Sequence, residues 1–185
     1  LSYFLWSTMP DAELIRLAAK GELRRELPAQ VKRMLADPKA QALVENFTGQ
    51  WLQVRDVESV PINARTVLGF NATRNRDGRV EFAGPMRRAM RKETEMSFDY
   101  VLKENRSVLE LIESDYTFLN EELAKHYGVP GVSGDELRLV KLPPDSPRGG
   151  VLTQGAVLTV TSNPTRTSPV KRGLFVLENI LGTPP

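Results

Sequence analysis

Pro85-Met86-Arg87-Arg88-Ala89-Met90-Arg91-Lys92-Glu93-Thr94-Glu95-Met96-Ser97-Phe98-Asp99-Tyr100 reads as a helix, and the rest of the chain is best understood from it. Met86, Ala89, Met90, Met96, Ser97 and Tyr100 recur at three–four spacing, which stacks them on one helical face. Glu93 falls in the middle of that face, while Glu95 and Asp99 point elsewhere. An ionised carboxylate inside an apolar stripe needs a cation or several hydrogen-bond donors, or its pKa rises. Glu93 therefore has two readings: a structural ion pair to an arginine, or a general acid or base.

Helices on either side announce themselves by their ends. Asp11 precedes Leu14, Ile15, Leu17 and Ala18, and Gly21 stands where a helix C′ glycine belongs. Pro28 suits a first helical position before Val31, Met34 and Leu35, and Asp37-Pro38 repeats the arrangement before Ala40, Leu43, Val44, Phe47 and Trp51. Ser107-Val108-Leu109-Glu110 has the form of a capping box, and a helix is expected from about Leu119 to Tyr127, stopped by Gly128 and Pro130. Between Val54 and Gly84 the pattern dissolves into a basic stretch carrying Arg65, Arg74, Arg76 and Arg79, long for a loop in a compact domain. Leu137 to Leu142 alternates as a short strand does; Val151 to Thr161 is β-branched and open to either state; Ser168-Pro169 opens a last helix ended by Gly182. The expected fold is mostly α: a multi-helix domain over residues 1–134 and a smaller C-terminal module over 135–185 with room for a short strand.

Composition removes most chemistries. In 185 residues there is no cysteine and one histidine, His126, so thiol catalysis, iron–sulfur clusters, cysteine-based zinc sites, multi-histidine metal cages and covalent haem attachment within this chain are excluded. Hydrophobic residues at 41% and charged residues at 26% give enough apolar material for a core. The net charge of +2 does not point to nucleic acid, and no apolar run reaches the ~20 residues of a membrane span. No metal site is expected. The first and last residues look like cuts through a longer protein.

Two groups of residues are candidates for function. Glu93 with His126 could serve a hydrolase acting on a polysaccharide or ester; the bland alternative places His126, on the face of Leu119 and Leu123, as a hydrogen-bonded core residue. Arg166, Thr167 and Ser168 precede the last helix, with Arg172 in its first turns, and Arg148-Gly149-Gly150 stands ready to add backbone donors. Together they suit an anion-binding site. The alternative is a capped helix whose arginines pair with acids of the earlier helices, with Arg166 turned inward onto Glu93 or another buried acid as the favoured form.

Several stretches resemble a known family. Leu1-Ser2-Tyr3-Phe4-Leu5-Trp6-Ser7-Thr8-Met9-Pro10-Asp11, Val44-Glu45-Asn46-Phe47-Thr48-Gly49-Gln50-Trp51-Leu52, and Asp115-Tyr116-Thr117-Phe118-Leu119-Asn120-Glu121 with His126-Tyr127-Gly128 resemble a helical domain of unknown function from planctomycete-type cytochrome-c-associated proteins. Arg148-Gly149-Gly150-Val151-Leu152-Thr153-Gln154 and Thr165-Arg166-Thr167-Ser168-Pro169-Val170-Lys171-Arg172-Gly173 resemble the start of the domain that follows it. The resemblance carries no activity and no catalytic residues. It implies a non-catalytic binding or docking module inside a large exported protein, periplasmic or extracellular, that also carries c-type haem. It implies no cofactor in this chain, with any haem c held by other parts of the parent. The expected partners are the parent's other domains, a cytochrome or an anionic ligand.

Overall fold

The Pro85–Tyr100 stripe forms part of one helix, Gly84–Lys103, in a computed structural model that describes residues 1–63, 66 and 84–185. Ala89, Met90, Glu93, Ser97 and Val101 are buried along it, as the spacing requires, but so are Thr94 and Glu95. The spacing along the helix places Glu95 away from the core, and the structure differs. Glu95 is buried because the helical run over residues 38–51 covers a second side of this helix, with Phe47 stacked 5.4 Å from Phe98. Its carboxylate turns under Arg91 at 3.1 Å and Lys92 at 3.7 Å, and burial still raises its pKa.

The first third forms a small helical cluster of its own. Helix Ala12–Ala19 is capped by Asp11, whose side chain accepts the Leu14 N–H, and ends at Gly21 with φ +70°. Helix Leu27–Leu35 carries Pro28 in its first turn, and its Arg33 returns to Asp11 at 2.7 Å. Trp6, in the short helix Ser2–Trp6, donates its indole N–H to the Met34 carbonyl at 2.8 Å and packs with Leu5, Leu14, Met34, Ala40 and Leu43. The run that follows Asp37-Pro38 begins as a 3₁₀ turn and widens into a π turn at Val44–Thr48.

Beyond the long helix the local signals and the outcome part company. Ser107 accepts the Leu109 N–H, but over a 3₁₀ turn, Val108–Leu111. The reciprocal half of the capping box is missing because Glu110 is drawn to Arg106 at 2.6 Å and to the Tyr116 hydroxyl at 2.8 Å. Strand β1, Tyr116–Leu119, takes Leu119 and the residues ahead of it, so the expected helix starts two residues later, at Glu121 under an Asn120 cap. β1 pairs antiparallel with β2, Arg138–Lys141, in the register Tyr116 to Lys141 and Leu119 to Arg138. Val151–Thr153 is a 3₁₀ turn and Gly155–Val160 a helix, so burial overrides β-propensity there. The last helix, Pro169–Phe175, is capped by Ser168 and passes into a π turn. The chain is mostly helical with one two-stranded sheet among the described residues. The basic segment at 64–83, apart from Thr66, lies outside them.

The main core joins residues from both sides of residue 134: Leu52, Val57, Met90 and Leu123 meet Val151, Val157 and Phe175. Trp51 donates its indole N–H to the Asn179 carbonyl at 2.6 Å, fastening the last turns to the first third of the chain. Gly150 holds the connection into this core at φ +70°, and a Cβ there would lie 2.1 Å from the Ile112 carbonyl oxygen. Backbone on both sides of the clash leaves no side chain to yield. Gly150→Ala is expected to destabilise the fold by roughly 3 kcal/mol or more, read as a large fall in thermal midpoint.

Candidate functional site

Glu93 lies midway along the long helix with 1% of its surface exposed. Thr117, from β1, donates its hydroxyl to Oε1 at 2.6 Å. Tyr127, the last residue of helix Glu121–Tyr127, donates to Oε2 at 2.6 Å. The phenol oxygen also accepts the Gly155 N–H at 2.6 Å. That approach requires glycine, since a Cβ at residue 155 would come within 2.7 Å of the same hydroxyl and 2.9 Å of Met90. Four segments distant in sequence thus meet at one carboxyl.

Arg148 completes the arrangement from above. Its guanidinium stacks 3.6 Å from the centre of the Tyr127 ring, and Nη1 donates to the Thr153 carbonyl at 2.9 Å. Burial drives the Glu93 pKa up to about 7; the hydrogen bonds from Thr117 and Tyr127, the Arg148 charge and the Gly155 N–H offset only part of that rise. Burial and the adjoining Glu93 carboxylate raise the Tyr127 phenol. His126 is lowered, first by its partial burial and then by Arg148.

On the other side of Tyr127 lies a groove of about 690 Å³. His126, Arg148, Arg166, Thr167 and Arg172 all line it, so five residues singled out in the sequence converge on one place. Arg172 is steered by long contacts to the Thr161 hydroxyl at 3.4 Å and the Leu158 carbonyl at 3.5 Å. Arg166 is exposed on a tight turn closed by Asn163 N–H donating to its carbonyl at 2.9 Å. Among the described residues none of these three arginines forms an ion pair, and no carboxylate lines the groove. A second groove of about 580 Å³, lined by Tyr3, Phe4, Phe47 and Trp51, contains none of the candidate residues.

Other expectations need revision. Arg166 does not turn inward onto Glu93, whose oxygens are taken by Thr117 and Tyr127. Ser168 stands apart from the groove: it is buried, its hydroxyl spent on the Lys171 N–H. The Gly149 and Gly150 N–H groups are likewise engaged by the Thr153 and Ser114 hydroxyls, so neither glycine offers a donor. His126 is exposed at the groove wall, unlike the buried Leu119 and Leu123. The sequence reading missed Thr117, Tyr127 and Gly155 as partners of Glu93. Their signal was indirect: a buried acid demands donors, and Tyr127-Gly128 ends the nearest helix.

The model of a protein family of unknown function, PSD4 (DUF1592), matches residues 1–129. The chain belongs to that family. A second model, PSCyt3 (DUF1588), also of unknown function, matches residues 148–185, so the resemblance to planctomycete cytochrome-c-associated domains holds across both. No curated protein and no solved structure matches the chain. Glu93, His126 and Tyr127 fall in the PSD4 match, whereas Arg148, Gly155, Arg166 and Arg172 fall in the second. The groove is built where the two matches meet. Haem c does not fit these residues, because the chain has no cysteine for a thioether link. Among the described residues no helix is long and apolar enough to cross a membrane.

The raised Glu93 value has a pH signature. Between the ordinary carboxyl value of 4.5 and about 7, the folded protein keeps a proton that the unfolded chain has released. Glu93 thus imposes no penalty below the lower value and costs stability as pH rises through the window, up to about 3 kcal/mol. Thermal melts of the wild type against Glu93→Gln across that range are expected to show the wild type losing stability relative to the variant as pH rises.

Proposed function

We propose that this chain is a non-catalytic binding module of an exported, c-type-haem-associated protein, and that the groove beside Tyr127 takes an anionic ligand. The observation that carries this reading is three guanidinium groups facing one groove whose described lining holds no carboxylate. A guanidinium presents a planar fork of donors that matches carboxylate, sulfate or phosphate, and Arg148 is already fixed by its stacking and its bond to Thr153. Hydroxyls of Thr165 and Thr167 supply further polar contacts for a carboxylated or sulfated group. The parent's other domains, a cytochrome with an acidic surface, or a free anion all present that chemistry, and any haem c belongs to other parts of the parent.

The hydrolase reading relies on Glu93 and His126. The burial of Glu93 and the use of both its oxygens weigh against it, since a general acid must reach the reacting atom. Glu93 is better understood as support beneath Tyr127.

Arg166 is the cleanest test because it is exposed and makes no side-chain bond among the described residues. Arg166→Ala is expected to weaken binding of inorganic sulfate by about tenfold in calorimetric titration while the melting temperature stays unchanged. Raised ionic strength is expected to weaken wild-type binding as well. Equal sulfate binding by both proteins would sink the assignment.

A further inference from the structure

Beneath the groove the buried carboxyl and the arginine share a neighbour. Resting on the anion reading just given, we propose that the groove takes its anion together with one proton, and that Glu93 holds the proton. Tyr127 is the shared element: its ring lies under the Arg148 guanidinium at 3.6 Å, and its hydroxyl sits on Glu93 Oε2 at 2.6 Å. Glu93 and Arg148 also border one small void of about 10 Å³. Arg148 therefore faces two anions in turn, the Glu93 carboxylate on its inner side and a ligand in the groove.

The two compete for one cation. With Glu93 ionised, the inner side of the groove carries a negative charge that opposes an incoming anion and offsets Arg148. With Glu93 neutral, the full guanidinium charge is available to the ligand. Electrostatic coupling across a low-dielectric layer is strong, because buried protein screens charge far less than bulk water does. The balance is simple: a proton from solvent bonds to Glu93, no other bond breaks, and the ligand keeps its charge. Thr117 makes room for the proton, since its hydroxyl can rotate from donating to Oε1 to accepting from it at the same 2.6 Å separation. Burial holds Glu93 at about 7, so near neutrality both states are populated and a ligand can shift the proton.

The other charged groups on the packed elements are committed elsewhere or face away. On the long helix Glu95 is paired with Arg91 and Lys92, and Asp99 with Lys103. From β1, Tyr116 is bonded to Glu110. On the Glu121–Tyr127 helix, Lys125 pairs with Glu121, Glu122 is exposed, and His126 lines the groove. The 3₁₀ turn Val54–Glu58 carries exposed Arg55, Asp56 and Glu58, the last paired with Arg91. The Gly155–Val160 helix has no ionisable side chain. His126 is the rival, because protonation there would favour an anion in the same direction.

Sulfate is the suitable test anion, since its own charge is constant between about pH 5.5 and 8.5. In calorimetric titrations of the full chain, wild-type affinity is expected to fall as pH rises past 7, by up to about tenfold in all and about threefold per unit at its steepest, with fractional proton uptake on binding. Glu93→Gln is expected to flatten that slope, and His126→Gln to retain it whatever its affinity. A slope that persists in Glu93→Gln, or vanishes in His126→Gln, overturns the proposal. Wild-type binding that is independent of pH overturns it while leaving the anion groove standing; no sulfate binding at any pH removes both. Should Glu93→Gln not fold, carboxyl-labelled wild type answers the question by NMR. Saturating sulfate is expected to raise the Glu93 titration midpoint by about one unit, by reciprocity of coupling, and an unmoved midpoint refutes the idea.

Discussion

A carboxyl group buried to 1% exposure in the middle of the longest helix constrains much of what surrounds it. Such a group costs several kcal/mol unless its oxygens are bonded, and the helix that carries it cannot supply the donors itself. They arrive from β1, from the end of the next helix and, through the phenol of Tyr127, from the backbone at Gly155. Meeting that requirement brings Thr117, Tyr127 and Gly155 together, although 38 residues or fewer separate any two of them and none adjoins Glu93 in sequence. The β1–β2 pairing and the tight glycine turn at residue 150 hold the same neighbourhood in place.

The same requirement explains why the groove sits where it does. Tyr127 serves Glu93 with its hydroxyl and Arg148 with its ring, so a core contact and a surface feature share one side chain. Arg148 lies in the stretch that resembles the following domain, as do Arg166 and Arg172, while the carboxyl and His126 come from the PSD4 match. Neither matched segment alone contains the site. A groove assembled this way depends on how the two segments pack, and the shared core of Met90, Leu123, Val151 and Val157 supplies that packing.

Local signals in the sequence were reliable where the energy is local. Asp11 accepts the N–H three residues on, Gly21 adopts the left-handed conformation that ends a helix, and Gly128 does the same after Tyr127. They failed where a distant group competed. Ser107-Val108-Leu109-Glu110 lost its reciprocal cap because Glu110 found Arg106 and Tyr116, and Glu95 was buried by a helical run some fifty residues earlier in the chain. Val151 to Thr161 shows the same effect on propensity, with β-branched residues coiling into a helix because the core there needed Ala156 and Val157 inside.

The sequence by itself determined the helical character of the chain, the burial of Glu93 and the absence of cysteine chemistry, because spacing and composition are properties of neighbours along the backbone. It also named five of the residues that line the groove. Only the tertiary structure decided what Glu93 is bonded to: neutral hydroxyls from Thr117 and Tyr127, with Arg148 held above the ring and Arg166 left facing solvent. A buried acid states that it needs donors without saying which, and several arginines and hydroxyls satisfy that need equally well on paper. The choice among them belongs to the packing of elements distant in sequence, where a glycine at residue 155 admits the phenol and the geometry of one ring sets an arginine over it.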